Sequence, residues 1–289
     1  MSKQFKVGLY LLILCAACLF AGKCLRMFTK VNMDAKEGTD GRNRDMEENG
    51  STQTEETDIF TEEQREALGD FSGNGYTIVL DAGHGAFDPG KIGVNGAKEK
   101  EINLSIAKKL QTYLRAAGFT VHMTRESDEA LYEEGESNKK SADMRSRIRT
   151  IEEKKPEFAV SIHQNSFTQE SSFGAQVFYY QNSEQGKILG ECLQTTIKTV
   201  IADENHRKAT ANESYYLLRK SPCPMVIVEC GFLSNQREAE LLVTEEYQDK
   251  MAWAICFGIV EYCRGAGELK GTESSANGNW ETRIKWKQL

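Results

Sequence analysis

Apolar and polar positions change period along this chain, and the changes mark out its elements. Between about Tyr76 and Arg264, short apolar runs of strand length alternate with stretches whose apolar residues recur at helical spacing. YTIVLD (Tyr76–Asp81) is the first apolar run and stops at Gly83. Ile102, Ile106, Leu110 and Leu114 follow at helical spacing and end at Gly118, a residue suited to a helix C-terminus. FTVHMT (Phe119–Thr124) reads as a strand. Ser141 is placed to cap a helix that shows Met144, Ile148 and Ile151 on one face. EFAVSIH (Glu157–His163) and GAQVFYY (Gly174–Tyr180) read as strands, and Gln185–Ile201 as a helix with Ile188, Cys192 and Ile197 turned inward. SYYLLR (Ser214–Arg219) and PMVIVECG (Pro224–Gly231) read as the last strands. Asn235 or Thr244 would cap the closing helices, which end in MAWAICFGIVEYC. Strands alternating with helices predict an α/β domain, residues 76–264, with a mostly parallel sheet and helices on both faces.

The flanks have a different composition. Lys3 and Lys6 precede an apolar run from Val7 to Ala21, so residues 1–28 read as an export signal or membrane anchor. The run is shorter than the roughly 20 residues of a typical span. Lys23 directly before Cys24 argues against a lipoprotein junction. Residues 31–75 are rich in Asp, Glu, Thr, Asn and Gly and too poor in apolar surface to offset their ordering entropy, so they are expected to be an acidic disordered linker. A short helix over Thr61–Leu68 is compatible with that segment. Residues 265–289 are expected to be a flexible tail.

Charge and cysteine usage narrow the function. A net charge of -7 argues against nucleic acid as a partner, since phosphate contacts need a basic surface. Of the eight cysteines, Cys15, Cys18 and Cys24 lie in or beside the first segment. Cys192, Cys223, Cys230, Cys256 and Cys263 are scattered, odd in number and form no C-x-x-C pair, which argues against a disulfide framework or structural zinc knot.

In a parallel sheet, ligands bind beyond the carboxyl ends of the strands. Three apolar runs end in reactive side chains: Asp81-Ala82-Gly83-His84-Gly85, Ser161-Ile162-His163-Gln164-Asn165 and Val228-Glu229-Cys230-Gly231-Phe232. Two imidazoles and a carboxylate therefore converge on one edge. Catalytic zinc sites take three protein ligands and leave a position for water. His84 and His163 supply two, and Glu99 is a candidate third, in a loop that Gly93 and Gly96 would let fold back over His84. A solvated charge cluster with Lys98, Lys100 and Glu101 is an equal alternative for Glu99. Glu229 closes a buried run, where a carboxylate is costly unless paired or functional. Asp81 could orient His84 or its loop by hydrogen bonding. His122 and His206 read as structural or surface residues. Cys230 should point away from the site, because side chains alternate along a strand.

DAGHG, the GxxEKxxNL stretch (Gly96–Leu104), SIHQN and VECGFLSN, in that order, resemble the motif set of the zinc N-acetylmuramoyl-L-alanine amidases. The resemblance implies a three-layer α/β sandwich with a twisted, mostly parallel sheet. It also implies Zn2+ on His84, Glu99 and His163, with Glu229 as the catalytic glutamate. GAQVFYY, NESYYLL and VECGFLSN are nearest to the family's spore-cortex, germination-related branch. That implies stem-peptide removal from peptidoglycan before muramic-lactam formation, outside the cytoplasm, with a lipoprotein or other protein activator as a candidate partner. Ala82 stands where the family usually has proline, and Ala86 where glycine is frequent. A zinc carboxypeptidase acting on stem peptides is the competing enzyme, and would need an arginine such as Arg125 or Arg145 to anchor a substrate carboxylate. A non-catalytic binding module would have lost a ligand or Glu229, and none is lost.

Overall fold

The computed structural model describes residues 59–133, 135–201 and 204–271. The expected signal or anchor, most of the linker, and the tail from residue 272 lie outside these residues. Among the described residues no helix is long and apolar enough to cross a membrane. The chain runs α1 (Glu62–Leu68), β1 (Thr77–Ala82), α2 (Glu99–Ala116), β2 (Thr120–Met123), α3 (Lys139–Lys154), β3 (Phe158–Asn165), β4 (Gln176–Tyr180), α4 (Glu184–Ile201), β5 (Thr210–Asn212), α5 (Tyr216–Lys220), β6 (Met225–Phe232), α6 (Gln236–Leu242) and α7 (Glu245–Gly271). The six strands form one sheet in the order β2-β1-β3-β6-β4-β5. β1, β2, β3 and β6 are parallel, and β4 pairs with β6 antiparallel and carries β5 parallel to itself. This is the expected α/β sandwich with a mostly parallel sheet.

Alternation along the strands divides the core in two. Ile78, Leu80, Val160, Ile162, Val226, Val228 and Cys230 pack beneath α2, α4 and α7 in the larger cluster. Val79, Ala159, Met225 and Ile227 turn the other way, against Ile148 and Ile151 of α3 and Leu217 and Leu218 of α5. By the same alternation Asp81, Ser161, His163 and Glu229 belong to the smaller α3/α5 face. Cys230 is fully buried on the opposite face, as its place in the strand required.

Five local readings change. The linker expected to reach residue 75 is, from residue 59 on, part of the packed domain. Leu68 is buried, Phe60 packs on Tyr113 and Trp253, Phe71 packs on Phe119, and Arg264 donates to the Leu68 carbonyl. Three apolar residues spread through an acidic segment were enough to dock it. SYYLLR is helical over Tyr216–Lys220: the Asn212 side chain accepts from the Ser214 and Tyr215 amides, starting a turn, and Leu217 and Leu218 are both buried, which a half-buried strand cannot achieve. Asn138, not Ser141, caps α3, its side chain accepting from the Ser141 amide. In α4 the fully buried stripe is Leu189, Leu193 and Ile197, and Ile188 and Cys192 flank it half-buried. The closing helix also runs past residue 264 to Gly271, into the expected tail.

Candidate metal centre

The site sits where β1, β3 and β6 end and α2 begins. Strands β3 and β6 are parallel neighbours with His163 opposite Glu229, so register alone places imidazole beside carboxylate. His84 follows β1 in a turn, and Glu99 is the first residue of α2. One ligand atom each from His84, Glu99 and His163 lie within 4.8 Å of one another. Glu99 Oε1 is 3.2 Å from His84 Nε2 and 3.0 Å from His163 Nδ1, and the two rings meet edge to face at 4.9 Å. The solvated cluster considered for Glu99 is excluded, because its side chain is only 3% exposed.

Glu99 is fixed on every side. Its Oε2 accepts from the Lys91 amide (2.8 Å), and its Oε1 from the Gln164 amide (3.0 Å) and Asn103 Nδ2 (3.4 Å). Asn103 also donates to the Gly83 carbonyl and accepts from Gln164 Nε2. Gly96, at φ +82°, takes the left-handed turn expected of this loop, and Gly90 is the residue that packs against the group. Gly90 has φ +68°, and an added Cβ would lie 2.5 Å from Glu99 Oε2 and 2.8 Å from His84 Cδ2. Burial raises the Glu99 pKa, but hydrogen bonds and charge from His163 and His84 outweigh it and hold the carboxyl below its usual range. Burial lowers the His84 pKa, and Glu99 and Asp88 reverse that and raise it.

Glu229 stands apart from this group. It is buried, its Oε2 has no hydrogen-bond partner, and burial pushes its carboxyl up to about 7, against the opposing pull of His163. It lines a cleft of about 180 Å³ together with His84, His163, Phe87, Met144, Tyr215 and Leu217. A carboxyl poised near neutrality in a cleft suits proton transfer. His122 and His206 lie outside the metal-binding group.

Asp81 acts on His84 through an arginine that the motifs did not single out. Arg147 of α3 is almost wholly buried and donates to Asp81 Oδ1 (2.6 Å), the Ala82 carbonyl (2.8 Å), the His84 carbonyl (2.7 Å) and Asp143 Oδ2 (2.6 Å). Ser161 and Thr124 hydroxyls complete the shell of Asp81. Arg125, buried beside it, donates to the carbonyls of Ala82, Gly83 and Lys100. Helical spacing offered the missed signal for Asn103, which lies one turn after Glu99. Asp88 was missed likewise, four residues after His84 in the same loop.

A mostly parallel α/β sheet with two imidazoles and a buried carboxylate gathered at its carboxyl edge, and a second buried carboxyl facing them, defines a hydrolase able to hold a metal ion. A family model, N-acetylmuramoyl-L-alanine amidase, matches residues 78–261. The germination-specific N-acetylmuramoyl-L-alanine amidase of Bacillus subtilis is 36% identical over 198 residues, covering 68% of this chain and 83% of that protein. The CwlD amidase of Clostridioides difficile, solved in complex with the GerS lipoprotein, superposes with a TM-score of 0.64 at 39% identity over 66% of this chain and 99% of that one. Amidase AmiC2 of Nostoc punctiforme gives 0.57 at 32% identity, covering 66% and 99%. The chain belongs to the N-acetylmuramoyl-L-alanine amidase family, enzymes that hydrolyse the bond between the muramic acid of peptidoglycan and its stem peptide.

Proposed function

We propose that this chain is a zinc amidase of cortex peptidoglycan, with His84, Glu99 and His163 as the ligands and Glu229 as the catalytic acid–base. The observation that carries the reading is the convergence of those three donors opposite a buried carboxyl oxygen that has no protein partner. Two imidazoles and one carboxylate are a zinc-type donor set. Zinc held there would supply Lewis acidity, polarising the scissile carbonyl and lowering the pKa of the attacking water.

This chain's own residues supply the rest. Glu229 takes the proton from water as its oxygen attacks the lactyl carbonyl carbon, then delivers it to the α-amine of L-alanine as the C–N bond breaks. Phe87, Met144, Tyr215 and Leu217 give the cleft an apolar wall that limits competing water. The arginines considered for a carboxypeptidase anchor have partners of their own. Arg125 is engaged by backbone carbonyls, Arg147 by Asp81 and Asp143, and Arg145 lies 3.6 Å from Glu136. The germination-specific relative supports cortex as the substrate, and the lipoprotein complex of the Clostridioides neighbour supports a lipoprotein partner. Residues 1–28 would export the enzyme and hold or release it at the wall, and residues 31–58 would act as its acidic tether.

The purified chain should release stem peptides with a free L-alanine amino terminus from cortex peptidoglycan, identified by mass spectrometry. Elemental analysis should find one zinc per chain, lost in His84→Ala, Glu99→Ala and His163→Ala. Full zinc occupancy in all three variants would overturn the ligand set. Release of terminal amino acids instead of intact stems would support the peptidase.

A further inference from the structure

The loop that carries His84 is strained and closed by one carboxylate. His84 has φ +63° and Ala86 +48°, left-handed values that non-glycine residues adopt only when their surroundings enforce them. The closure is a small ring. Gly85 and Asp88 exchange backbone hydrogen bonds of 3.0 Å each way. The Asp88 carboxylate then works in two directions. Its Oδ1 accepts from the Gly90 amide at 3.0 Å, and its Oδ2 lies 2.9 Å from His84 Nδ1. An Nδ1–H donating to Oδ2 is the tautomer that frees the Nε2 lone pair for a metal shared with Glu99, whose Oε1 lies 3.2 Å from that nitrogen. Gly90 is also the residue packed against Glu99 and His84, so one side chain sets both a ring and the loop wall beside it.

We propose that Asp88 is a positioning residue for metal binding, fixing the tautomer and orientation of His84 and holding its strained turn; this rests on the zinc reading above. His163 is oriented differently, by Glu99 at its Nδ1 and by packing over Gly83, and so serves as an internal control. A carboxylate behind a ligating histidine raises metal affinity in general, and its removal costs about 10–100-fold. Asparagine keeps the shape of Asp88 but has one acceptor oxygen, so it can serve His84 or the Gly90 amide and not both.

Two measurements on the full chain decide it. Zinc affinity is measured by competition with a chelating dye for the wild type, Asp88→Asn and Asp88→Ala. The ring tautomers of His84 and His163 are read from 15N spectra of the zinc-free protein in alkaline buffer, where both rings are neutral. Both variants should bind zinc about 10–100-fold more weakly. In Asp88→Ala the His84 ring should become a mixture of tautomers while His163 is unchanged. Wild-type affinity in both variants overturns the proposal. So does weakened affinity with His84 still wholly Nδ1-protonated, because Asp88 would then serve only the fold. A wild type that binds no zinc refutes the metal reading instead, and the tautomer spectra still show whether Asp88 sets the ring.

Discussion

Replacing Arg147 by methionine removes a charge of similar length from beneath the site, and its cost follows from what the guanidinium holds. Arg147 and Asp81 are 2% and 0% exposed, and they meet at 2.6 Å. Burial raises the Asp81 pKa, but Arg147, then the Ser161 hydroxyl, outweigh it and bring the carboxyl from its ordinary 3.8 down to about 2. That depression corresponds to roughly 2–3 kcal/mol of stability, present above the unfolded value and lost as pH falls through about 2. Arg147→Met also leaves Asp81 buried without its cation, a change that typically costs about 3–5 kcal/mol. With the guanidinium gone, burial, the largest influence, outweighs the Ser161 and Thr124 hydroxyls and the weaker pull of His163, and the Asp81 pKa should rise above its unfolded value. The sign of the linkage then reverses, and the variant recovers stability on acidification. Urea unfolding should therefore show a deficit of about 3–5 kcal/mol near neutral pH. The deficit should shrink toward pH 4 as Asp81 protonates in the variant, and shrink again below pH 4 as the wild type loses its ion pair. A deficit under about 1 kcal/mol, or one that does not change with pH, would refute the view that this pair is a stabilising, ionised unit.

Three further outcomes are expected. Glu229→Gln keeps shape and removes the proton acceptor, so it should retain zinc and lose at least about a hundredfold in turnover on peptidoglycan; zinc loss would make Glu229 a ligand. Gly83→Ala places a methyl inside van der Waals contact of the His163 ring, so zinc binding and turnover should fall together while the melting temperature changes little. A chain beginning at residue 76 loses Leu68 and the Phe60 and Phe71 ring contacts, each large apolar side chain being worth about 1.5–3 kcal/mol when buried. It should be at least about 3 kcal/mol less stable in urea than a chain beginning at residue 59, and equal stability would return the segment to the linker.

The strand ends were legible because two constraints act on the same residues. A buried run must be apolar, so a His or Glu at its end stands out, and a parallel sheet brings such ends to one edge. Alternation along the strand alone separates Glu229 from its neighbour Cys230. Glu99 was less legible. A carboxylate between two lysines at a helix start has the look of a solvated face, and only its contacts with Lys91, Asn103 and Gln164 bury it. The α1 segment misled for the opposite reason: composition averages over a window, whereas docking needed only Phe60, Leu68 and Phe71.

Arg147 shows what the reading of apolar periodicity discards. Met144, Ile148 and Ile151 defined the inward face of α3, and position 147 lies on that face, three residues after Met144 and four before Ile151. A charge there was passed over because periodicity counts apolar residues alone. Yet a buried cation needs a buried anion, and Asp81, closing the first strand, was the matching carboxylate left without a partner in the sequence. Pairing the two by that requirement would have predicted α3 against the end of β1, with Arg147 beneath the His84 turn. Arg125, which follows β2, is held instead by backbone carbonyls, those of Ala82, Gly83, Lys100 and Ser127. The turn that presents His84 thus rests on two buried cations. A charge on an inward helical stripe is evidence about which strand end that helix covers.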